Sequence, residues 1–368
     1  VSIRRWPLIG VIVGCVALAA CLVAVLWRGD ARGTAAAQPT TSLSGATGAT
    51  GVHDATGSDA SAVTVTNLVV PGPANQVSSS KPSNQDAGAA AASGINRVGS
   101  AEVPVRRYDP APATAATTEP WAVLVWAHGG SFIHGGLDMA EADWAARQFA
   151  AAGVRVYSVD YVLASDTVKA PAPANDVAAV ASWVARTESA PLLIGGASAG
   201  AHLATLAALD RADAALAGDG TAAAALMLEY PTLHRTQRPD AAIARATATL
   251  REGLRFDPDR ISTMYATHIG EVSDAEAAES ELVAGEIAAP RLALLPPTVI
   301  VNADIDDLRA SGEQFAEQLA VAGVRVLEYT QAGTTHGYLN RPEESAVALA
   351  SAQQTIDRLV AGARDEVQ

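Results

Sequence analysis

Short, nearly unbroken apolar runs alternate with amphipathic stripes from residue 99 onward. Residues 121–127 (Trp-Ala-Val-Leu-Val-Trp-Ala) carry no charge, the pattern of a strand covered on both faces. Residues 154–161, 191–195, 222–228 and 298–303 largely repeat it, and 324–329 adds a further strand pattern. A polar, proline-bearing run at 102–108 predicts an edge strand. Between these runs, residues 140–152, 176–185, 201–209, 312–322 and 343–360 read as helices, with Val177, Val180 and Val184 on one stripe. Strands that alternate with helices predict an α/β fold with a mostly parallel, doubly wound sheet.

Two stretches leave this rhythm. Residues 232–295 have helical pieces, an acidic run from Glu271 to Glu281 and no clear strand, which predicts a helical cap or lid inserted over the sheet. At the other end, residues 7–27 carry no charge, and about 20 apolar residues span a bilayer as a helix. Arg4 and Arg5 precede the run, and Trp6 and Trp27 mark its two ends, where indoles favour the membrane interface. The expectation is a single-pass transmembrane signal-anchor over 1–27, with the folded domain outside the cytoplasm. A cleaved signal peptide ending near Ala35-Ala36-Ala37, giving a secreted protein, and a lipid anchor on Cys21 of Leu18-Ala19-Ala20-Cys21 are the alternatives. Residues 28–98 are rich in Ala, Gly, Ser, Thr and Pro. Such a stretch buries too little apolar surface to offset its ordering entropy, so it is expected to be a flexible linker, with weak strand alternation only at 63–70. The folded domain is expected over 99–368.

Composition narrows the function. The net charge of −14 disfavours nucleic acid as a partner, since phosphate binding needs a basic patch. Cys15 and Cys21 are the only cysteines of the 368 residues, so the folded domain has no disulfide and no Cys-based metal site. No Gly-x-x-x-x-Gly-Lys-Ser/Thr nucleotide loop occurs.

The candidate chemistry centres on Gly196-Ala197-Ser198-Ala199-Gly200, between the apolar run at 191–195 and the helix former run at 201–209. A serine on a sharp strand-to-helix turn stands clear of the sheet, with the first helical N–H groups beside it. A nucleophilic serine needs a base, a group that orients the base, and donors for the developing oxyanion. Donors are offered by His128-Gly129-Gly130-Ser131-Phe132, directly after the strand at 121–127, together with the N–H of Ala199. His336, within Gly333-Thr334-Thr335-His336-Gly337-Tyr338, is the candidate base. Asp304, Asp306 and Asp307 all follow the strand at 298–303 and are all candidates for the acid.

These blocks resemble the hormone-sensitive-lipase group of α/β-hydrolase-fold carboxylesterases. His128 to Phe132 resembles that group's His-Gly-Gly-Gly loop, with Ser131 at the third glycine. Asp160-Tyr161-Val162-Leu163-Ala164-Ser165, followed by Pro171, Pro173, Asp176 and Trp183, resembles its Tyr-Arg-Leu-Ala-Pro-Glu stretch. Asp306-Asp307-Leu308-Arg309 resembles its Asp-Pro-Leu-Arg turn, and His336-Gly337-Tyr338 its His-Gly-Phe. The resemblance spans about residues 123–338. It implies an α/β-hydrolase fold and a serine carboxylesterase or lipase. The implied triad is Ser198, Asp306 and His336, with Gly129, Gly130 and Ala199 as the oxyanion hole. The substrate would be a small-molecule ester, with no metal or organic cofactor. A peptidase or amidase on the same fold, and a non-catalytic ligand-binding protein, are the alternatives.

Overall fold

The structure, a computed structural model, describes residues 63–74, 95–111 and 119–367. The expected signal-anchor at 1–27 and most of the expected linker lie outside these residues. Among the described residues, no helix is long and apolar enough to cross a membrane.

Eight strands form one sheet in the order β1-β2-β4-β3-β5-β6-β7-β8. They are β1 (Thr64–Pro71), β2 (Glu102–Asp109), β3 (Ala122–Ala127), β4 (Val154–Val159), β5 (Leu192–Ala197), β6 (Ala225–Glu229), β7 (Thr298–Ile305) and β8 (Val326–Thr335). From β4 to β8 every pairing is parallel. The β1–β2 and β2–β4 pairings are antiparallel.

The apolar runs are continuous because both faces of the sheet are covered. Val123, Val125 and Ala127 of β3 enter one core, and Ala122, Leu124 and Trp126 enter the other. Leu226 and Leu228 of β6 face the first core, while Ala225 and Met227 face the second. The first core is closed by α2 (Ala172–Thr187), α3 (Ala199–Leu216) and α8 (Arg309–Val321). The second is closed by α1 (Asp143–Ala151) and α9 (Ala346–Val367).

Residues 232–295 contain four short α-helices and no strand: α4 (Ala241–Thr247), α5 (Pro258–Ile269), α6 (Asp274–Glu279) and α7 (Ala289–Leu292). Ile261, Met264 and Tyr265 of α5 are buried in the first core, so this insertion packs on the helical layer over the sheet.

Sheet topology fixes where a ligand goes. From β3 the chain steps outward to β4, then returns to place β5 on the opposite side of β3. At such a reversal the loops after the two strands part and leave a crevice at their carboxyl ends. The loops that leave β3 and β5 here are residues 128–132 and the turn at Ser198.

One boundary differs from the linker expectation. β1 lies inside the stretch read as linker, yet it pairs with β2 over its full length, from Thr64↔Asp109 to Pro71↔Glu102. Val70 is buried, whereas Val65 and Val69 are exposed. Its signal is weak because pairing with a distant strand stabilises it more than side-chain burial does. Asn96 also pairs with Val168, and Asn175 Nδ2 donates to the Val98 carbonyl at 2.9 Å. A chain starting at residue 99 therefore loses β1 and bares the edge of β2. Compared with residues 57–368, it is expected to melt several degrees lower, with about 2 kcal/mol less stability in urea. Equal melting of the two would show β1 to be dispensable.

Candidate active site

Ser198 occupies the junction of β5 and α3 with φ 54° and ψ −119°. A non-glycine residue in this region is strained by about 1–3 kcal/mol. Close packing holds it there. A Cβ on Gly200 would lie 2.1 Å from the Ala127 carbonyl oxygen, so only glycine lets α3 start this near β3. The Ser198 N–H donates to the Glu229 carbonyl at the end of β6 (2.9 Å). The side chain is nearly buried, at 6% exposure.

The three residues of the expected triad come together although they are far apart in sequence. His336 Nε2 lies 2.9 Å from Ser198 Oγ, and its Nδ1 lies 2.7 Å from Asp306 Oδ2. Asp306 directly follows β7 and His336 directly follows β8, so both side chains stand at strand ends, level with Ser198. Asp306 is fully buried, and its Oδ1 accepts the Leu308 N–H at 3.0 Å. The neighbouring acids point elsewhere. Asp304 pairs with Arg309 (3.3 Å), and Asp307 pairs with Arg255 (2.8 Å). Arg341 Nη2 donates to the His336 carbonyl at 3.2 Å and steadies the loop.

Two rings flank the His336 imidazole. Tyr230 sits 4.8 Å away on one side and Phe256 of the insertion 4.7 Å away. Asp307 accepts the Phe256 N–H (2.8 Å) as well as the Arg255 guanidinium, so the acid beside Asp306 anchors the insertion against His336. Phe256 carries no sequence motif, and proximity to His336 is the only feature that singles it out. A cavity of about 1300 Å³ opens inside the insertion, lined in part by Phe256, Ile261, Tyr265, Ile269 and Arg235. It borders the triad only through Phe256 and Asp307.

The loop after β3 lies over Ser198: a Cβ on Gly129 would be 3.0 Å from Ser198 Cβ. Here one expectation needs correction. The Gly129 N–H is donated to Glu141 Oε1 at 2.7 Å and is not free for an oxyanion. The chain then turns through three left-handed residues, Gly130 (φ 119°), Ser131 (φ 54°) and Phe132 (φ 68°). The turn is closed by the Ile133 and His134 N–H groups on the Gly130 carbonyl, at 3.1 and 2.9 Å. The N–H groups of Gly130 and Ser131 have no partner among the described residues, and Ala199 opens α3, where N–H groups lack helical acceptors. His128 braces the loop: its ring stacks on Tyr161 at 4.5 Å, and Tyr161 Oη donates to its carbonyl at 2.8 Å.

The alpha/beta hydrolase fold family profile matches residues 124–340, more than half of the chain. The chain belongs to the alpha/beta hydrolase fold family. This hydrolase-fold chain is 28% identical over 246 residues to the carboxylic ester hydrolase LipN of Mycobacterium tuberculosis, covering 65% of this chain and 61% of LipN. It is 30% identical over 235 residues to esterase LipI of the same organism, covering 62% of this chain and 69% of LipI. Among solved structures, esterase LipW from Mycobacterium marinum superposes with a TM-score of 0.59 at 28% identity, over 83% of this chain and 82% of LipW.

Two buried histidines of this hydrolase-fold chain pack against Phe132 of the loop after β3. His202 on α3 and His268 on α5 are fully buried. His268 stacks on Phe132 at 3.9 Å. Burial lowers the His202 pKa to about 4 and pushes that of His268 well below its ordinary value. Between pH 6.5 and 4 the unfolded chain therefore binds the His202 proton and the folded chain does not, so stability is lost as pH falls. Glu229 acts in the opposite sense, since burial raises its carboxyl pKa. A difference measurement isolates the histidine. In urea unfolding, the stability advantage of wild type over His202→Asn is expected to shrink by about 2 kcal/mol between pH 7.5 and pH 5. An unchanged difference would mean that His202 is not neutral in the fold.

Proposed function

We propose that the protein is a serine carboxylesterase. The reading rests on the continuous chain from Ser198 Oγ through His336 to Asp306, at 2.9 and 2.7 Å. Relatives that are named esterases support the choice of an ester over an amide. Ser198 Oγ attacks the ester carbonyl carbon while its proton passes to His336 Nε2. Asp306 accepts from Nδ1, holds the reactive tautomer and stabilises the imidazolium. The negative charge then on the former carbonyl oxygen is taken by the backbone N–H groups of Gly130 and Ala199, joined by that of Ser131. Collapse of this intermediate expels the alcohol, which leaves with the proton from His336. Water then adds to the acyl-enzyme by the same route, with His336 again as base, and releases the carboxylic acid and Ser198.

The test is hydrolysis of p-nitrophenyl acetate, butyrate and a long-chain ester. Ser198→Ala and His336→Ala are expected to lower kcat more than about 1000-fold, and Asp306→Asn by a similar factor, with folding intact. Equal turnover by wild type and Ser198→Ala would remove Ser198 as nucleophile.

We also propose that the uncharged run at 7–27 holds the enzyme at a membrane, with the catalytic domain extracytoplasmic. The uninterrupted apolar length and the flanking Arg4, Arg5, Trp6 and Trp27 support this. Esterase activity is then expected to stay with the membrane fraction after carbonate washing, and to leave it when residues 1–30 are removed. Release of the intact chain by carbonate would contradict membrane anchoring.

A further inference from the structure

Glu141 belongs to none of the sequence motifs. It lies in the loop before α1, at 2% exposure. A carboxylate taken out of water costs several kcal/mol unless its oxygens are bonded, and here both are. Oε1 accepts the Gly129 N–H and Oε2 accepts the Tyr230 O–H, each at 2.7 Å. Burial and the nearby carboxylates raise the Tyr230 pKa, so the phenol keeps its proton and donates it. The backbone of Glu141 is tied as well. Its N–H donates to Asn340 Oδ1 at 3.1 Å, and its carbonyl accepts the Trp126 indole N–H from β3 at 2.8 Å.

Three of these four bonds lead to the loop over Ser198 and to the His336 side of the proposed site, and the fourth ties Glu141 to β3. Gly129 is in the loop over Ser198. Tyr230 packs its ring on His336. Asn340 closes the turn Tyr338–Asn340, which follows His336 after a single residue. We propose that Glu141 is a positioning residue for ester hydrolysis: its carboxylate sets the oxyanion loop and the His336 side of the site in one register. The inference rests on the esterase reading above. The mechanism is directional. By holding the Gly129 N–H, Glu141 turns that peptide away from Ser198. The chain then reverses at Gly130, and the next N–H groups remain available for the oxyanion. Without the carboxylate the Gly129 N–H loses its acceptor, and the Gly129 peptide is no longer held away from Ser198 although His128 and the Gly130 turn still brace the loop.

The experiment compares Glu141→Ala, Glu141→Gln and Tyr230→Phe in the full chain. It measures kcat and KM for p-nitrophenyl butyrate, and calorimetric affinity for phenylboronic acid. The boronic acid adds to Ser198 Oγ and becomes a tetrahedral anion that needs the oxyanion donors. Glu141→Ala is expected to lower kcat by about 100-fold with KM within about threefold, and to weaken boronic acid binding by a similar factor. Glu141→Gln keeps an oxygen for the Gly129 N–H and can donate to Tyr230 Oη, so kcat is expected to recover to within about tenfold of wild type. Tyr230→Phe loses only one bond and is expected to fall by about threefold to tenfold.

A purely structural role would lower the melting temperature and leave the kcat of the folded fraction and boronic acid affinity unchanged; that result overturns the proposal. So does a Glu141→Gln variant as impaired as Glu141→Ala. If Glu141→Ala does not fold, Glu141→Gln and Tyr230→Phe decide. Unchanged kcat and unchanged boronic acid affinity in Tyr230→Phe then overturn it. Ser198→Ala separates the two readings. If wild type cleaves no ester, or cleaves it as fast as Ser198→Ala does, the esterase reading fails, and boronic acid titration still reports on Glu141. Affinity lost in Glu141→Ala supports its role, and unchanged or absent wild-type binding overturns it.

Discussion

The backbone at Ser198 is held against its own preference by packing on both sides. Its left-handed φ persists because α3 is pressed onto β3 at Gly200 and because the Ser198 N–H is committed to the Glu229 carbonyl. Three adjacent strands, β3, β5 and β6, therefore have to be level at their carboxyl ends before the serine can stand where it does. That levelling comes from the parallel register of the sheet. The same register brings the residues after β7 and β8 to the same rim, which is where Asp306 and His336 stand. Strain at one residue and the order of the whole sheet are two aspects of one arrangement.

Burial makes this arrangement electrostatically demanding. Asp306, Glu141 and Glu229 all lie within the shell around Ser198, each at 2% exposure or less. Asp306 and Glu141 are matched by N–H, O–H or imidazole partners. Glu229 is handled differently: burial raises its pKa and favours the neutral carboxyl.

Strands β3 to β7 are legible in the sequence because a sheet with two covered faces needs apolar residues at consecutive positions, as in residues 122–127. Ser198 and His336 are legible because their neighbours are small or flexible beyond what packing requires. Asp306 needed the family resemblance, since Asp304 and Asp307 lie within two residues of it and only the fold turns them toward Arg309 and Arg255. β1 is faint because its stability is non-local: residues 64–67 are all exposed. The end of β8 is faint for a related reason, since Thr330 and Gln331 extend the pairing with β7 and Thr335 rejoins it only past a register shift. Gly129 shows the limit most plainly. A Gly-Gly pair says that two N–H groups can turn toward a ligand, but the Gly129 N–H is taken by Glu141, whose burial no local pattern reveals.

The Arg255–Asp307 pair gives the insertion a second kind of significance. Residues 232–295 could vary in length and lining while the sheet stayed as it is, because most of their contacts are with helices and with one another. At Phe256 that freedom ends, since the ring lies against the imidazole and its backbone is clipped to the residue after Asp306. The insertion and the His336 imidazole therefore share one point of contact. Any remodelling of the insertion that keeps this contact leaves the packing on the imidazole as it is, whereas one that shifts Phe256 changes the cavity lining and the surroundings of His336 together.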